Sequence, residues 1–515
     1  MSAHEGYLLA MVLALFAGIL SGIPAMLAIA GVPLVMAVIG SLTGVFDLGF
    51  LSFFPARVYG VMSNPLLMAV PLFVLMGVLL EKSRLAESML DVLGRMLGGS
   101  PRGMGLSVLV FSAIIAASTG IVGATVVMLV LIALPTMRQA GVPNSLSAGI
   151  ICASGTLGQI IPPSILLVLL GDQIGNTYLE AQQKAGNFAP DPVSVGDLFA
   201  GALLPGLMLV GLYGLYIFVR LRPTARGVIA PATKRPVRRR EILSSFAPPL
   251  LLILSVLGSI LGGIATTTEA AGLGAVGALM LAGYRSGVAG TGRVLVLAAV
   301  AAAFALMALR LFSDSRTEAT GLAILAAGLA LMLVLGVIVA GARLWASGTL
   351  QTAVGDTVRI SGMVFGIVVA ASMLALVFRG FGGDELVTQA MAAVPGGTWG
   401  ALAMVLLVVF LLGFILEAVE IIYIVVPLLG PPILGGDISP VWFGVLLAMN
   451  LQTSFLTPPF GFALFYFRST APRDITTGDI YRGVAPFVAL QLLGLGLLIA
   501  FPALATWLPR LVFGP

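Results

Sequence analysis

"GTLGQIIPPSILLVLL" runs from Gly155 to Leu170 and "LQTSFLTPPFGFALFY" from Leu451 to Tyr466, each holding a Pro-Pro pair well inside an apolar stretch. The pairs, Pro162 with Pro163 and Pro458 with Pro459, stand 296 residues apart. Proline within a helix removes a backbone donor and frees a carbonyl. In hydrocarbon such freed groups persist only where they line a cavity or find partners. The sequence therefore predicts two broken helices, at about 144–171 and 440–467. Ser154, Gly155, Thr156, Gly158 and Ser164 surround the first break, and Asn450, Thr453, Ser454, Thr457 and Gly461 the second. Hydroxyls, amides and freed carbonyls are oxygen ligands suited to a hard monovalent cation such as Na⁺. The plainer reading is a proline kink with small residues for close helix packing; the symmetric pair favours the ligand reading.

The surroundings of these stretches are those of a membrane protein. Of 515 residues, 59% are apolar and 9% charged, against about 25% charged in a soluble chain. Stretches long enough to span a bilayer as helix recur from end to end. Tyr7 to Gly22 lacks a basic start and runs into further apolar sequence, so it reads as a first membrane helix rather than a signal peptide. The single cysteine, Cys152, and the single histidine, His4, exclude an internal disulfide and argue against zinc or haem ligation. No "HExxH", no P-loop and no spare histidine base is present, so neither an enzyme nor an ATPase is expected. The net charge of +5 points to cytoplasmic loops and not to nucleic acid.

The charges orient the chain. Residues 220–240 carry eight basic residues and no acid, so this linker, 221–244, reads as cytoplasmic. Lys82, Arg84, Arg95, Arg102 and Arg138 also mark the inside, whereas Asp384, Glu385 and Asp437 mark the outside. The apolar run at about 106–135 thus begins and ends inside, and that at about 401–429 begins and ends outside. Neither crosses, which predicts two re-entrant hairpins entering from opposite faces.

Opposed hairpins imply an inverted repeat. "ILSGIPAMLAIAG" (Ile19 to Gly31) matches "ILGGIATTTEAAG" (Ile260 to Gly272) at an offset of 241 residues. The difference from 296 calls for an insertion of 55 residues in the second half. An extra helix pair at about 294–340, around "SDSRTEAT", supplies it. The expected organisation is a first repeat over 1–220, the linker, and a second repeat over 245–515. The fold class is an all-α polytopic membrane protein with two hairpins and two broken helices, which points to a carrier of small solutes.

Within the hairpins, "ASTGIVGAT" (Ala117 to Thr125) places Ser118, Thr119 and Gly120 at a tip, where backbone groups can face a cavity. "GFILEAVEII" (Gly413 to Ile422) places Glu417 and Glu420 on one helix face. These acids either couple transport to an ion or a proton, lie near an aqueous mouth, or fix the hairpin by accepting backbone hydrogen bonds. Glu269, after Thr266 to Thr268, fits the first turn of a capped helix better than a coupling site. Asp172 reads as a surface or gate residue, followed by a polar loop over 176–194.

These segments resemble the large membrane subunit of tripartite ATP-independent periplasmic (TRAP) transporters. The resemblance rests on "VPLFVLMGVLLEKS" (Val70 to Ser83), "ASGTLGQIIPPSI" (Ala153 to Ile165), "TTTEAAG" (Thr266 to Gly272) and "NLQTSFLTPPFGFALFYFR" (Asn450 to Arg468). "ITTGDIYRGVAPFVALQLLGL" (Ile475 to Leu495) is similar to the mannitol/chloroaromatic branch. The resemblance implies an elevator-type, Na⁺-coupled importer of organic acids in the bacterial inner membrane, with Na⁺ as the coupling ion and no cofactor. It implies two partners, a small DctQ-like membrane subunit and a periplasmic substrate-binding protein. No extra four-helix segment is evident at either end, so the small subunit is expected as a separate polypeptide. The sodium sites are expected around Ser118 to Gly120, Gly155 to Pro163 and Thr453 to Pro459. The alternative is a stand-alone ion-coupled carrier. At Thr267 the family more often has proline, and the 55-residue insertion is atypical.

Overall fold

Each apolar stretch becomes helix because a chain in hydrocarbon must satisfy its backbone groups internally. The structure, a computed structural model, describes residues 3–514 apart from 84, 98, 99, 223–236, 288, 289 and 313–319, with backbone alone at 86, 116–119, 310–312 and 320. All regular structure among the described residues is helical, and ten helices are long and apolar enough to cross a membrane. The chain is a polytopic membrane protein.

The two halves run in parallel order. A helix pair opens each half, Ala3–Leu20 with Ala25–Leu42 and Arg239–Leu261 with Thr267–Arg285. A scaffold helix follows, Ala69–Lys82 in the first half and the 32-residue Thr349–Gly380 in the second. Short helices, Leu85–Met96 and Gly383–Ala392, lead into the hairpins, Pro101–Thr119 with Val122–Gln139 and Gly397–Leu412 with Ala418–Leu429. The broken helices are Asn144–Thr156 with Ile165–Lys184 and Pro440–Leu456 with Phe462–Thr470, before the closing helices Val195–Arg220 and Thr477–Ala500. A last helix, Ala503–Phe513, packs on Val195–Arg220.

Packing between the halves is reciprocal, as a two-fold relation requires. Ala25–Leu42 packs on Thr349–Gly380, and Thr267–Arg285 packs on Ala69–Lys82. Val122–Gln139 packs on Phe462–Thr470, and Ala418–Leu429 packs on Ile165–Lys184. Asn144–Thr156 lies on Thr477–Ala500 with backbones in contact, since a methyl added at Gly149 would overlap the Gly483 carbonyl. Small residues at such crossings let helices approach closely where no hydrophobic drive pulls them together.

Several boundaries differ from the sequence expectation, in one direction. The hairpins begin earlier, at Pro101 and Gly397, and the first ends later, at Gln139. The first broken helix continues through "DQIGNTYLEAQQK" to Lys184, where a polar loop is expected from 176. Polarity ended the apolar run there but not the helix, because Leu, Glu, Ala and Gln sustain helix well and Glu180 pairs with Lys184 one turn on. Helix also resumes at Arg239, inside the expected linker, most of which lies outside the described residues. The insertion forms Thr291–Phe312 and Thr320–Ala346. Only 6% of the second helix's apolar window is buried, against 61% for Thr349–Gly380, so the insertion is peripheral and the scaffold helix central.

Candidate functional site

Gly120 closes the first hairpin tip in the left-handed region, φ +61°, where a Cβ would stand 3.0 Å from the Ile165 nitrogen. The tip therefore sits against the start of the second half of the first broken helix. The backbone is helical through Thr119, while the side chains of Ser118 and Thr119 lie outside the described residues. The second tip spans Gly413 to Glu417, where the Glu417 N–H donates to the Glu420 carboxylate at 3.2 Å. Glu420 is buried and holds its own hairpin, the structural role open to it, while Glu417 faces a cavity. Glu269 caps its helix, accepting from the Thr266 N–H at 2.8 Å.

The two breaks are built differently. In the first, a short 3₁₀ turn, Leu157–Gln159, leads into the cis Pro162–Pro163 peptide and an extended Ser164. Every residue from Ser154 to Ser164 is buried. Thr156 Oγ1 donates to the Ala153 carbonyl at 2.9 Å and Ser164 Oγ to the Gln159 carbonyl at 3.0 Å. Ser154 Oγ and Gln159 Oε1 are buried with no hydrogen-bond partner. A buried polar atom left unpaired costs about 1–3 kcal/mol, and these two oxygens are among several such atoms in the described structure.

In the second break Asn450, Thr453, Ser454 and Thr457 are hydrogen-bonded, whereas Gln452 Nε2 and Oε1 are buried without a partner. Asn450 Nδ2 donates to the Leu406 carbonyl at 2.7 Å and Ser454 Oγ to the Phe410 carbonyl at 2.6 Å. Donors and acceptors both repeat at one helical turn, so these residues strap the broken helix to the first arm of the second hairpin. Thr453 and Thr457 donate to carbonyls of their own helix, Met449 and Thr453. Pro458 is half-buried and Pro459 exposed, also across a cis peptide.

One cavity of about 250 Å³ gathers the tips and breaks, lined by Gly120, Gln159, Glu417, Phe455 and Tyr466, with Ile360 and Met363 from the scaffold helix. Ser154, Gly155, Thr156, Gly158, Pro162, Pro163, Ser164, Asn450, Thr453, Ser454, Thr457, Pro458 and Pro459 do not line it. Gln159, Tyr466 and the scaffold residues were not singled out from the sequence. A carboxamide inside "GTLGQII" was the available signal for Gln159; Ile360 and Met363 carry none.

Two further cavities lie along the same scaffold helix, one on either side. Toward its start, Val74, Glu81, Ile121, Ala124, Asp356 and Ile360 enclose about 200 Å³. Toward its end, Arg57, Asn64, Asp172, Ser372, Arg379 and Tyr423 enclose about 290 Å³. Asp172 is buried there, accepting from Asn64 Nδ2 at 2.8 Å and Tyr423 Oη at 3.4 Å. Arg379 pairs with Glu180 at 3.0 Å. Both contacts tie the first broken helix across the cleft, to the segment before Ala69–Lys82 and to the scaffold helix. No cluster of three His, Cys, Asp or Glu stands among the described residues.

An all-helical membrane fold of two halves, with hairpins and broken helices meeting along a cleft, is the architecture of a polytopic membrane transporter. The family described as "Tripartite ATP-independent periplasmic transporter, DctM component" matches residues 10–311 and 288–504, and the chain belongs to it. It is a multi-pass inner-membrane protein and a large permease subunit of the TRAP class. It is 26% identical over 453 residues to the C4-dicarboxylate TRAP transporter large permease of Vibrio cholerae, covering 87% of this chain and 86% of that one. It is 27% identical over 444 residues to the isethionate TRAP transporter permease protein DctMQ of Oleidesulfovibrio alaskensis, covering 85% of this chain and 57% of that one. Among solved structures, the YdaH transporter of Alcanivorax borkumensis shares the fold, with a TM-score of 0.55 at 16% identity, covering 89% of this chain and 90% of that one.

Proposed function

We propose that this chain forms the path and the ion-coupling site of a Na⁺-driven importer of a small organic acid. The observation that carries the reading is the pair of orphaned oxygens, Ser154 Oγ and Gln159 Oε1, buried at a helix break behind a hairpin tip. Bound there, Na⁺ would supply a compact positive charge that satisfies hydroxyl, carboxamide and freed backbone oxygens. Gly120 brings the tip's backbone onto the same segment, and Asn450 with Ser454 holds the opposite hairpin in register.

The acid class is supported by Arg57. Arg379 is engaged by Glu180, whereas Arg57 lines the cavity with no ion-pair partner among the described residues. A planar guanidinium with free donors suits a carboxylate or a sulfonate, and the relatives are named for a dicarboxylate and for isethionate. Two partners belong to the proposal, a periplasmic substrate-binding protein and a small DctQ-like membrane subunit. The DctMQ relative is longer than this chain, consistent with a permease carrying both membrane parts. Hairpins and broken helices are proposed to move together against the scaffold helices, the elevator mode, with the Asn64–Asp172 and Arg379–Glu180 contacts released on each cycle.

Uptake into proteoliposomes holding this chain and its two partners tests the reading. Solute is expected to enter only with an inward sodium gradient; equal uptake without that gradient or a membrane potential would contradict it. Uptake by this chain alone, with no binding protein, would favour the stand-alone carrier.

A further inference from the structure

The insertion has no place in the transport cleft, yet it creates a feature of its own. Gly336 of Thr320–Ala346 packs against Ala299, and Ala340 against Gly283 of Thr267–Arg285, so tightly that a methyl at either glycine would overlap its neighbour. Thr320–Ala346 therefore sits flush on the scaffold. Thr291–Phe312 packs beside it and also touches Thr267–Arg285, leaving a gap to Arg239–Leu261. The gap is an apolar crevice of about 390 Å³ that includes Leu251, Leu252, Met280, Leu297 and Phe304.

Its size, depth and rim say what fills it. Along Arg239–Leu261 it extends from Ser244 to Ser255, about 17 Å at 1.5 Å per residue, roughly half of the 30 Å hydrocarbon core. That is the depth of one leaflet. That depth and a volume of about 390 Å³ suit an acyl chain lying along the groove. Its shallow end is the cytoplasmic one, where Arg239–Leu261 leaves the basic linker. There Arg293 donates to Tyr284 Oη and lies 4.9 Å from its ring, and Tyr284 lines the crevice. Arg240 stands one turn before Ser244, and Arg343 Nη2 lies 3.9 Å from where a Gly287 methyl would sit. None of these arginines has an acidic partner among the described ion pairs, and Glu241, at the same end, is taken by Arg95.

We propose that this crevice binds an anionic phospholipid of the cytoplasmic leaflet, its acyl chain between the insertion and the scaffold and its phosphate on Arg240 and Arg293. Basic rims over intramembrane grooves on the cytoplasmic side are the arrangement that selects such headgroups. The lipid is a fixed filler that joins the inserted pair to the scaffold, independent of the sodium reading.

The full-length protein, delipidated in detergent, is mixed with dioleoyl phosphatidylglycerol or dioleoyl phosphatidylcholine, and bound lipid is counted by native mass spectrometry. The wild type should retain phosphatidylglycerol about thirtyfold more tightly, given two basic contacts. The exposed double variant R240Q/R293Q should bring that preference to within about twofold, and Ala303→Phe, which fills the crevice without touching charge, should lose the bound lipid of either kind. Equal retention of the two lipids by the wild type, or an unchanged preference in both variants, would overturn the proposal. So would displacement of the phosphatidylglycerol by a co-expressed small membrane subunit, which would make the occupant a protein.

Discussion

The hydroxyl of Ser154 is buried with no hydrogen-bond partner, while its counterpart at the 296-residue offset, Asn450, is bound to the Leu406 carbonyl. The same position in the two halves is thus unpartnered in one and bonded to the hairpin in the other, and under the proposed function Ser154 is left for the ion. Ser154→Ala removes an unsatisfied group, so folding should change little. The sodium concentration for half-maximal uptake should rise about tenfold, equivalent to about 1.4 kcal/mol of lost binding. Ser454→Ala should do the reverse, leaving the Phe410 carbonyl unpaired at a cost of about 1–3 kcal/mol. Thermal unfolding in detergent should show the loss, with sodium dependence nearly unchanged. A sodium effect confined to Ser454→Ala would exchange the two roles.

At the scale of elements, the two hairpin tips turn by different means, a left-handed glycine in the first and an acid accepting a backbone N–H in the second. Gly120→Ala forces a non-glycine residue into φ +61° against the Ile165 nitrogen, costing about 1–2 kcal/mol of backbone strain. Gly382→Ala meets similar strain, φ +78°, but nothing within 4 Å, and it lies outside the cleft. Both should lower stability, Gly120→Ala the more for its contact with Ile165, and only Gly120→Ala should abolish uptake; equal uptake in the two would remove the first tip from the path. The hairpins and breaks were legible because each leaves a local mark, a charge parity or a Pro-Pro pair. The cavity walls were not. Ile360 and Met363 read as ordinary apolar positions of a long helix. Asp172 finds its partners 108 and 251 residues away. The bonds of Asn450 and Ser454 end on backbone carbonyls, which every residue offers and no sequence distinguishes.

For the molecule as a whole, the reciprocal packing of the halves places the scaffold helices side by side, with three cavities in line along Thr349–Gly380. The inserted pair stands outside this line, so its crevice and the cleft should respond to different perturbations. R240Q/R293Q should leave the sodium dependence of uptake unchanged, measured in the same proteoliposomes. The central claim is that transport moves the hairpins and broken helices against the scaffold. Replacing Asn64 and Asp172 with cysteines, in a Cys152→Ser background, allows that cleft to be cross-linked with a short thiol reagent. The account predicts that complete cross-linking stops sodium-driven uptake and that reduction restores it; uptake at the uncross-linked rate with the cleft fully cross-linked would contradict it.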